Sequence, residues 1–210
     1  MATPLDPNDP VAIAIFAKAP VPGFAKTRLI PRLGVAGAAE LQSRLIERAV
    51  ATAVEADVGP VSLWCAPDRN HALFRRLAED RPIALHQQEG PDLGARMLAA
   101  FEALTPANPV LLIGTDCPAF TPAHLRDCAA RLRSAADAVF VPAEDGGYVL
   151  VGLRRPEPAL FEAMTWSTPE VMAETRLRAA NQGLRWSEPF TLWDVDRPAD
   201  IDRLQDAELL

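Results

Sequence analysis

The chain has 210 residues, of which 49% are hydrophobic, so it can form one globular domain with a large core. Its formal net charge of −7 argues against a nucleic-acid partner, because such a partner requires a basic face. Three cysteines without CxxC spacing indicate a reducing compartment, and with no signal peptide and no apolar span of membrane length we expect a cytoplasmic protein. We expect residues 1–10, which are polar and proline-rich, to form a loose tail and residues 11–210 a single domain of undetermined oligomeric state.

Strands and helices alternate along the first two-thirds of the chain. Short apolar runs bounded by proline, glycine or polar residues predict buried strands, and apolar residues spaced by three or four positions predict helices. The predicted strands are residues 11–16, 61–65, 82–86, 110–113 and 138–141, and the predicted helices are residues 37–54, 71–77, 93–104 and 121–132. This alternation predicts an α/β fold with a mainly parallel sheet.

The pattern changes after residue 141. The turn at residues 144–147 is too short for a parallel crossover, so the predicted strand 148–153 is antiparallel or marks a change of direction. Further on, Ser167 or Thr168 is expected to cap a helix that runs to about Asn181. Residues 184–192 are predicted to be extended, and a last helix is predicted to begin at Pro198.

The most informative segment is the one that follows the apolar run at residues 110–113, where Asp116 comes directly after Gly114 and Thr115. In open α/β sheets, ligands bind just outside the carboxyl ends of the strands. A carboxylate there can hold Mg²⁺, which keeps most of its waters and uses one or two carboxylates with substrate phosphates. The alternative is that Asp116 caps a turn or the next helix. Cys117 is a candidate nucleophile, although no nearby histidine supports that role.

A basic loop follows the first predicted strand. Lys18, Lys26 and Arg28 surround Gly23, which allows a ligand to approach the backbone closely. Lysine and arginine neutralise phosphate, but the Walker pattern GxxxxGK[ST] is absent. Because this compact basic cluster of an acidic chain lies at a strand end, it predicts phosphate or nucleotide binding. A solvated basic loop is the alternative interpretation.

Two further segments are acidic. The turn at Asp145 either is a plain turn or lets a substrate approach while Asp145 holds a hydroxyl or acts as a base. Asp194 and Asp196 fall on one side of the chain if the extended segment continues, and they are candidates to complete a metal site with Asp116. Alternatively, Asp196 only caps the helix that begins at Pro198.

Five motifs, in this order along the chain, resemble those of one bacterial family. They are Lys18-Ala19-Pro20 with Gly23 and Lys26-Thr27-Arg28-Leu29, then Gly114-Thr115-Asp116-Cys117-Pro118, Asp145-Gly146-Gly147-Tyr148, Trp166-Ser167-Thr168, and Asp194-Val195-Asp196-Arg197-Pro198-Ala199-Asp200. From Val11 to about Leu204, the chain is similar to uncharacterised glycosyltransferase-like proteins of the nucleotide-diphospho-sugar transferase superfamily. A more distant likeness is to phospholactate and molybdenum-cofactor guanylyltransferases. The resemblance implies the type-A glycosyltransferase fold, a three-layer α/β domain with a mainly parallel central sheet and helices on both faces.

The resemblance also implies residue roles. Asp116 and Asp196 correspond to the superfamily's ligands for a divalent cation, here Mg²⁺ or Mn²⁺, with Asp194 as the substitute if Asp196 is only a helix cap. The nucleotide-binding positions are Lys18, Ala19, Pro20, Gly23, Lys26 and Arg28, together with Gln88, Leu93, Gly94 and Arg96 near the base and ribose. From the residues themselves, we take Asp116 at the strand end and Asp145 in the turn as the catalytic candidates. The acceptor side is assigned to Gly146, Gly147, Tyr148, Trp166, Ser167 and Thr168.

We therefore predict a metal-dependent transferase that takes a nucleotide or nucleotide-sugar donor and a small-molecule acceptor. The first prediction is glycosyl transfer from a nucleoside-diphosphate sugar. The second is nucleotidyl transfer, in which an acceptor phosphate attacks the α-phosphate of a nucleoside triphosphate and pyrophosphate leaves. The third is a non-catalytic nucleotide-binding module. For a shared cation, we expect the carboxylates of Asp116 and Asp196 to lie within roughly 10 Å of each other even in an empty site.

Overall fold

The structure, a computed structural model, describes residues 6–207 and 209, so residues 1–5 of the predicted tail lie outside the described residues. Seven strands and six α-helices are present in this range. The strands are β1 (Ala12–Lys18), β2 (Val61–Ala66), β3 (Ile83–Gln87), β4 (Val110–Ile113), β5 (Ala138–Pro142), β6 (Tyr148–Leu153) and β7 (Trp186–Ser187). The helices are α1 (Ile30–Ala56), α2 (Ala72–Asp80), α3 (Leu93–Leu104), α4 (Pro122–Ser134), α5 (Val171–Asn181) and α6 (Pro198–Asp206).

All seven strands belong to one sheet, in the order β3-β2-β1-β4-β6-β5-β7. Strand β1 pairs in parallel with β2 and β4, and β2 pairs in parallel with β3. Strand β6 is antiparallel to both of its neighbours, β4 and β5. The mainly parallel sheet with a reversed strand after the short turn is therefore confirmed.

Helices cover both faces of the sheet. On one face, the side chains of α1, α2 and α4 pack against the sheet in a core that includes Ile46, Phe74 and Leu125. On the other face, α3 and α5 contribute Phe101 and Met172 to a second core. This arrangement confirms the predicted three-layer architecture, and it leaves the carboxyl ends of β1, β2, β3 and β4 at one edge.

Two predicted helix starts are wrong. Helix α1 begins at Ile30 rather than at residue 37, because a first turn forms before a break at Gly34, whose φ of 72° is not helical. Neither Ser167 nor Thr168 caps α5. Ser167 is left-handed (φ 64°) and the Thr168 hydroxyl donates a hydrogen bond to the Thr165 carbonyl, so the helix begins later, at Val171.

The predicted extended segment at residues 184–192 is only partly right. Trp186 and Ser187 pair with β5, and Leu192 forms an isolated bridge with Ala143. The chain then continues to α6 without entering the sheet. Residues 193–196 are consequently held by loop contacts and not by strand pairing. Strand alternation is therefore not the reason why Asp194 and Asp196 lie on the same side of the chain.

The turn between β5 and β6 packs tightly against the loop before α5. A side chain at Gly146, whose φ is 94°, would overlap the Pro169 carbonyl. We expect Gly146→Ala to lower the free energy of unfolding by about 2–5 kcal/mol, because backbone strain adds to overpacking. The control is Gly183→Ala, where φ is 66° but nothing lies within 4 Å of an added Cβ, so only the strain of roughly 1–2 kcal/mol is expected. Urea unfolding measures both changes, and equal losses would show that the contact with Pro169 is unimportant.

Candidate functional site

A cleft of about 1140 Å³ opens at the edge where β1 to β4 end. Parts of the chain that are distant in sequence line it: the loop after β1, one residue of α1, the ends of β2 and β3, the start of α3, the end of β4, the start of β6, and the segment before α6. Of the predicted site residues, the lining includes Lys18, Ala19, Lys26, Arg28, Gln88, Leu93, Arg96, Asp116, Tyr148, Asp194 and Asp196. The predicted nucleotide and metal residues are thus largely brought together.

Lys26 lies at the centre of the acidic end of this cleft. Its Nζ is 2.8 Å from Asp116 Oδ1 and 3.4 Å from Asp196 Oδ1, and it donates a 2.6 Å hydrogen bond to the Val195 carbonyl. Only 5% of the side chain is exposed. Burial lowers the pKa of Lys26, but Asp116 and Asp196 raise it by more, and the net pKa is above its ordinary value. The alternative interpretation of a solvated basic loop therefore does not apply to Lys26.

Asp116 and Asp196 face each other across this ammonium group. Since one oxygen of each lies within 3.4 Å of the same nitrogen, the two carboxylates lie well inside the separation expected for a shared cation. The backbone reinforces the approach, because the Val195 amide donates a 2.8 Å hydrogen bond to the Asp116 carbonyl. Arg28 adds a second, more exposed cation, with Nη1 at 3.5 Å from Asp196 Oδ2.

The capping role that we considered for Asp196 belongs to Asp200. The Asp200 carboxylate accepts hydrogen bonds from the backbone amides of Asp196 (2.9 Å) and Arg197 (2.6 Å) at the start of α6. The side chain of Asp196 points instead toward Lys26 and Arg28. Asp196 is therefore available for a role in the cleft.

Asp194 lines the same end of the cleft. Burial, and then the negative charges of Asp116 and Asp196, raise its pKa to about 8, against a smaller opposing effect of Lys26. Three carboxylates are therefore concentrated here, and one of them is neutral over much of the ordinary pH range.

The acidic end suits a hard divalent cation. One oxygen atom of Asp116 and one of Asp196 contact the same ammonium nitrogen, and both side chains remain accessible, with 43% and 39% of their surface exposed. Within the part of the chain that the structure describes, no group of three or more His, Cys, Asp or Glu side chains is arranged to hold a metal ion. A cation here would therefore depend on two carboxylates, with phosphate and water completing its shell, which is the usual arrangement for Mg²⁺.

Gln42, a buried residue of α1, also lines the cleft and is not among the predicted site residues. Its amide donates a 3.2 Å hydrogen bond to Thr115 Oγ1, and the Thr115 hydroxyl is 3.4 Å from Asp116 Oδ1. This chain of contacts orients the Asp116 carboxylate. The signal was present in the sequence, because Gln42 is a polar residue four positions before Ile46 on the apolar face of a predicted helix.

The other end of the cleft carries positive charge. Lys18 donates a 2.8 Å hydrogen bond to the Phe24 carbonyl, and Arg96 Nε donates one of 3.0 Å to the Gly90 carbonyl. Gln88 Nε2 donates a 2.8 Å bond to the Trp64 carbonyl. Three predicted nucleotide positions, Pro20, Gly23 and Gly94, are not among the lining residues of the cleft but lie next to them in the chain. Pro20 lies in the loop after β1, Gly23 allows its turn at φ 82°, and Gly94 leaves space for the Trp166 ring.

The predicted acceptor residues form one packed unit beside the cleft. Tyr148 lines it and makes an edge contact with Trp166, with 6.4 Å between ring centroids. Asp145 Oδ1 accepts a 3.0 Å hydrogen bond from the Gly147 amide, which is the geometry of a plain turn. Asp145 is nevertheless close enough to raise the pKa of Asp194 slightly. Ser167 and Thr168 lie on the loop that presses against this turn.

Cys117 is buried, and burial raises the pKa of its thiol to about 12. A nucleophilic cysteine needs the thiolate form. The candidate role of Cys117 as a nucleophile is therefore not supported.

The fold is that of the nucleotide-diphospho-sugar transferases. The chain itself belongs to a family described as uncharacterized proteins conserved in bacteria, DUF2064, whose sequence model matches residues 49–168. No significant match was found among curated proteins.

Several solved structures are similar. A protein of Desulfovibrio desulfuricans G20, provisionally named a nucleotide-diphospho-sugar transferase, is 27% identical with a TM-score of 0.80, over 89% of this chain and 82% of that one. A nucleotidyl transferase from Methanothermobacter thermautotroptrophicus is 16% identical with a TM-score of 0.61, over 95% and 98%. The inositol-1-phosphate CTP transferase of T. maritima is 12% identical with a TM-score of 0.60, over 96% and 95%. The last two likenesses concern the fold alone.

None of the helices in the described residues is long and apolar enough to cross a membrane.

Proposed function

We propose that this protein is a metal-dependent transferase that moves a group from an activated nucleotide donor to a small-molecule acceptor. One observation carries the proposal. Asp116, Asp196, Lys26 and Arg28 are gathered within a few ångströms at the carboxyl edge of the sheet, at one end of a cleft with room for a nucleotide. Ligands bind at this edge in open α/β folds. The names of similar structures, which are transferases, support the same class of reaction.

Each part of the cleft has a distinct task in this proposal. Asp116 and Asp196 would hold Mg²⁺ or Mn²⁺, which when bound neutralises the donor's phosphate charge. Lys26 and Arg28 bind the same phosphates and stabilise the negative charge that the leaving group acquires. The base and ribose would lie toward Gln88 and the start of α3, as the resemblance implies.

The acceptor would enter from the side of the turn between β5 and β6. Tyr148 lines the cleft there and Trp166 packs edge-on against it, and Asp145, on the adjoining turn, would supply a carboxylate to orient or deprotonate an acceptor hydroxyl. Burial holds the pKa of the Tyr148 hydroxyl above its usual range, so this group stays protonated, and it donates to the Met97 sulfur at 3.9 Å.

Glycosyl transfer from a nucleoside-diphosphate sugar is our first candidate reaction. Nucleotidyl transfer is the second, because several similar structures carry names of that class, including a CMP:2-keto-3-deoxy-manno-octonic acid synthetase complexed with CTP. A thermal-shift screen of nucleotides and nucleotide sugars, with and without Mn²⁺, identifies the donor. Product analysis then separates the reactions, since only nucleotidyl transfer releases pyrophosphate. Binding without any product after long incubation with metal and candidate acceptors would favour a non-catalytic module.

Arg28→Ala provides a test of the phosphate contacts. The Arg28 side chain is 69% exposed, so its loss should leave the melting temperature of the free protein unchanged. Affinity for the nucleotide found in the screen should fall by about 1–3 kcal/mol, the range for a lost charged hydrogen bond. Arg32→Ala, which removes an exposed arginine that pairs with Asp202, is the matched control and should not change the affinity. Calorimetric titration measures both variants, and equal affinities would remove Arg28 from the site.

A further inference from the structure

The ammonium group of Lys26 lies where a cation shared by Asp116 and Asp196 would have to lie. It is 2.8 Å and 3.4 Å from one oxygen of each carboxylate, and its third contact is the Val195 carbonyl at 2.6 Å. All three partners are oxygen atoms, the ligand type that a hard divalent cation also prefers. The two kinds of cation therefore compete for the same oxygen atoms.

The backbone is adapted to this placement. Lys26 has φ 46° and ψ 44°, a left-handed conformation that is unfavourable for a residue with a side chain. Such strain is retained where the surrounding structure holds it in place, and it is found most often at functional sites. Lys18, in the same loop, is different, because its ammonium group donates to the Phe24 carbonyl and not to a carboxylate.

We propose that Lys26 is a built-in substitute for the divalent cation, one that occupies the carboxylate pair in the ligand-free protein and moves to the donor's phosphates when the metal–nucleotide complex binds. This inference rests on the proposed function, and it adds an order to binding. Metal alone must displace this ammonium group from both of its carboxylate partners, and the Val195 carbonyl alone does not balance its charge. Metal that arrives with a nucleotide brings the phosphate oxygens that receive the ammonium group.

The consequence is a thermodynamic coupling between metal and nucleotide. Bound nucleotide offers phosphate oxygens to the displaced Lys26 ammonium group, and bound metal releases that group from the carboxylates. The metal and the nucleotide therefore raise each other's affinity by the same factor. Direct contact between metal and phosphate would produce part of this coupling in any such site. The part of the coupling that Lys26 causes should disappear when a substitution removes the charge of Lys26.

The experiment is a titration of the protein with Mn²⁺ alone, followed by electron paramagnetic resonance. We expect wild-type protein to bind Mn²⁺ weakly, and Lys26→Met to bind it at least about tenfold more tightly, a factor typical of measured couplings between sites. Lys26→Gln, which is neutral but keeps a hydrogen-bond donor for Val195, should behave like Lys26→Met. Lys26→Arg keeps the charge and should remain weak. Lys18→Met is the matched control, since it removes one positive charge from the same cleft without freeing a carboxylate.

The outcomes separate this inference from the proposed function. The proposed substitution by Lys26 is overturned if wild type and a folded Lys26→Met or Lys26→Gln variant bind Mn²⁺ with equal affinity. It is also overturned if Lys18→Met gains as much Mn²⁺ affinity as Lys26→Met, because that result would show only a general effect of charge. If both neutral variants fail to fold by circular dichroism, the wild-type titration decides. Mn²⁺ that binds free protein as tightly as the nucleotide-bound protein contradicts the substitution. Nucleotide binding with no bound Mn²⁺ under any condition would instead contradict the metal dependence of the proposed function.

Discussion

Asp116→Asn is expected to lower the transferase activity by roughly 10²–10³-fold, the effect of removing one group that stabilises charge in a transition state. The substitution keeps the size of the side chain, and the Gln42–Thr115 contacts that orient it can persist. It removes the negative charge that would hold the cation and leaves Lys26 without its partner at 2.8 Å. Initial rates with the donor identified in the screen, measured over a range of Mn²⁺ concentrations, give the effect.

Asp202→Asn is the control for this prediction. Asp202, on α6, forms an exposed ion pair with Arg32 of α1 outside the cleft, and exposed pairs contribute little to stability. Its activity and melting temperature should match those of the wild type. A folded Asp116→Asn protein with full metal-stimulated activity would remove Asp116 from the catalytic site.

The second large effect concerns pH and Asp194. Its pKa rises to about 8 in the folded chain, from the model-peptide value of 3.8, because of burial and the neighbouring carboxylates. Between these two values the folded state holds a proton that the unfolded state has lost. The free energy of unfolding should therefore fall as pH rises from 4 to 8, by up to about 1.4 kcal/mol per pH unit, and level off outside this window. Urea unfolding in the presence of a chelator measures this slope.

Asp194→Asn isolates the contribution of this one carboxyl group. The amide is uncharged at every pH, so the variant should lack the slope and be more stable than wild type above pH 8. The difference between the two proteins cancels the titration of all other groups. If the two stability curves remain parallel from pH 4 to pH 8, Asp194 ionises normally in the folded protein and its environment has been misjudged.

Much of the fold follows from local sequence. The apolar run at residues 110–113 and the helical spacing at residues 93–104 predict β4 and α3 with the bounds that the structure has. The helix predicted from residue 121 is also present, with Thr121 as its cap and Pro122 in its first turn. Such elements are predictable because the spacing of their apolar residues and the residues at their ends indicate the same boundaries.

Other features depend on contacts that local patterns do not contain. Ser167 has the right chemistry for a helix cap, but it is left-handed in the loop that packs Pro169 against Gly146. Similarly, the strand-end rule identifies Asp116 and the basic loop. It does not place the Lys26 ammonium group between Asp116 and Asp196. That position depends on contact between the loop after β1 and the segment before α6, which lies 170 positions later in the chain. The roles of metal ligand, phosphate contact and acceptor residue stay predictions.

The contact between the loop after β1 and the segment before α6 has a consequence for folding. Lys26 and Asp196 are 170 positions apart, and the segment that carries Asp196 is anchored on α1 by a small separate core of Leu29, Leu41, Leu45, Trp193, Val195, Ile201 and Leu204. Closing so long a loop is entropically costly and must precede the contacts that reward it. During synthesis, the sheet can therefore assemble while the acidic end of the cleft is still incomplete. The acidic end is completed only after residues 193–204 have been made and have docked, so a chain that stops before α6 should be folded in large part and yet lack the site proposed for donor binding.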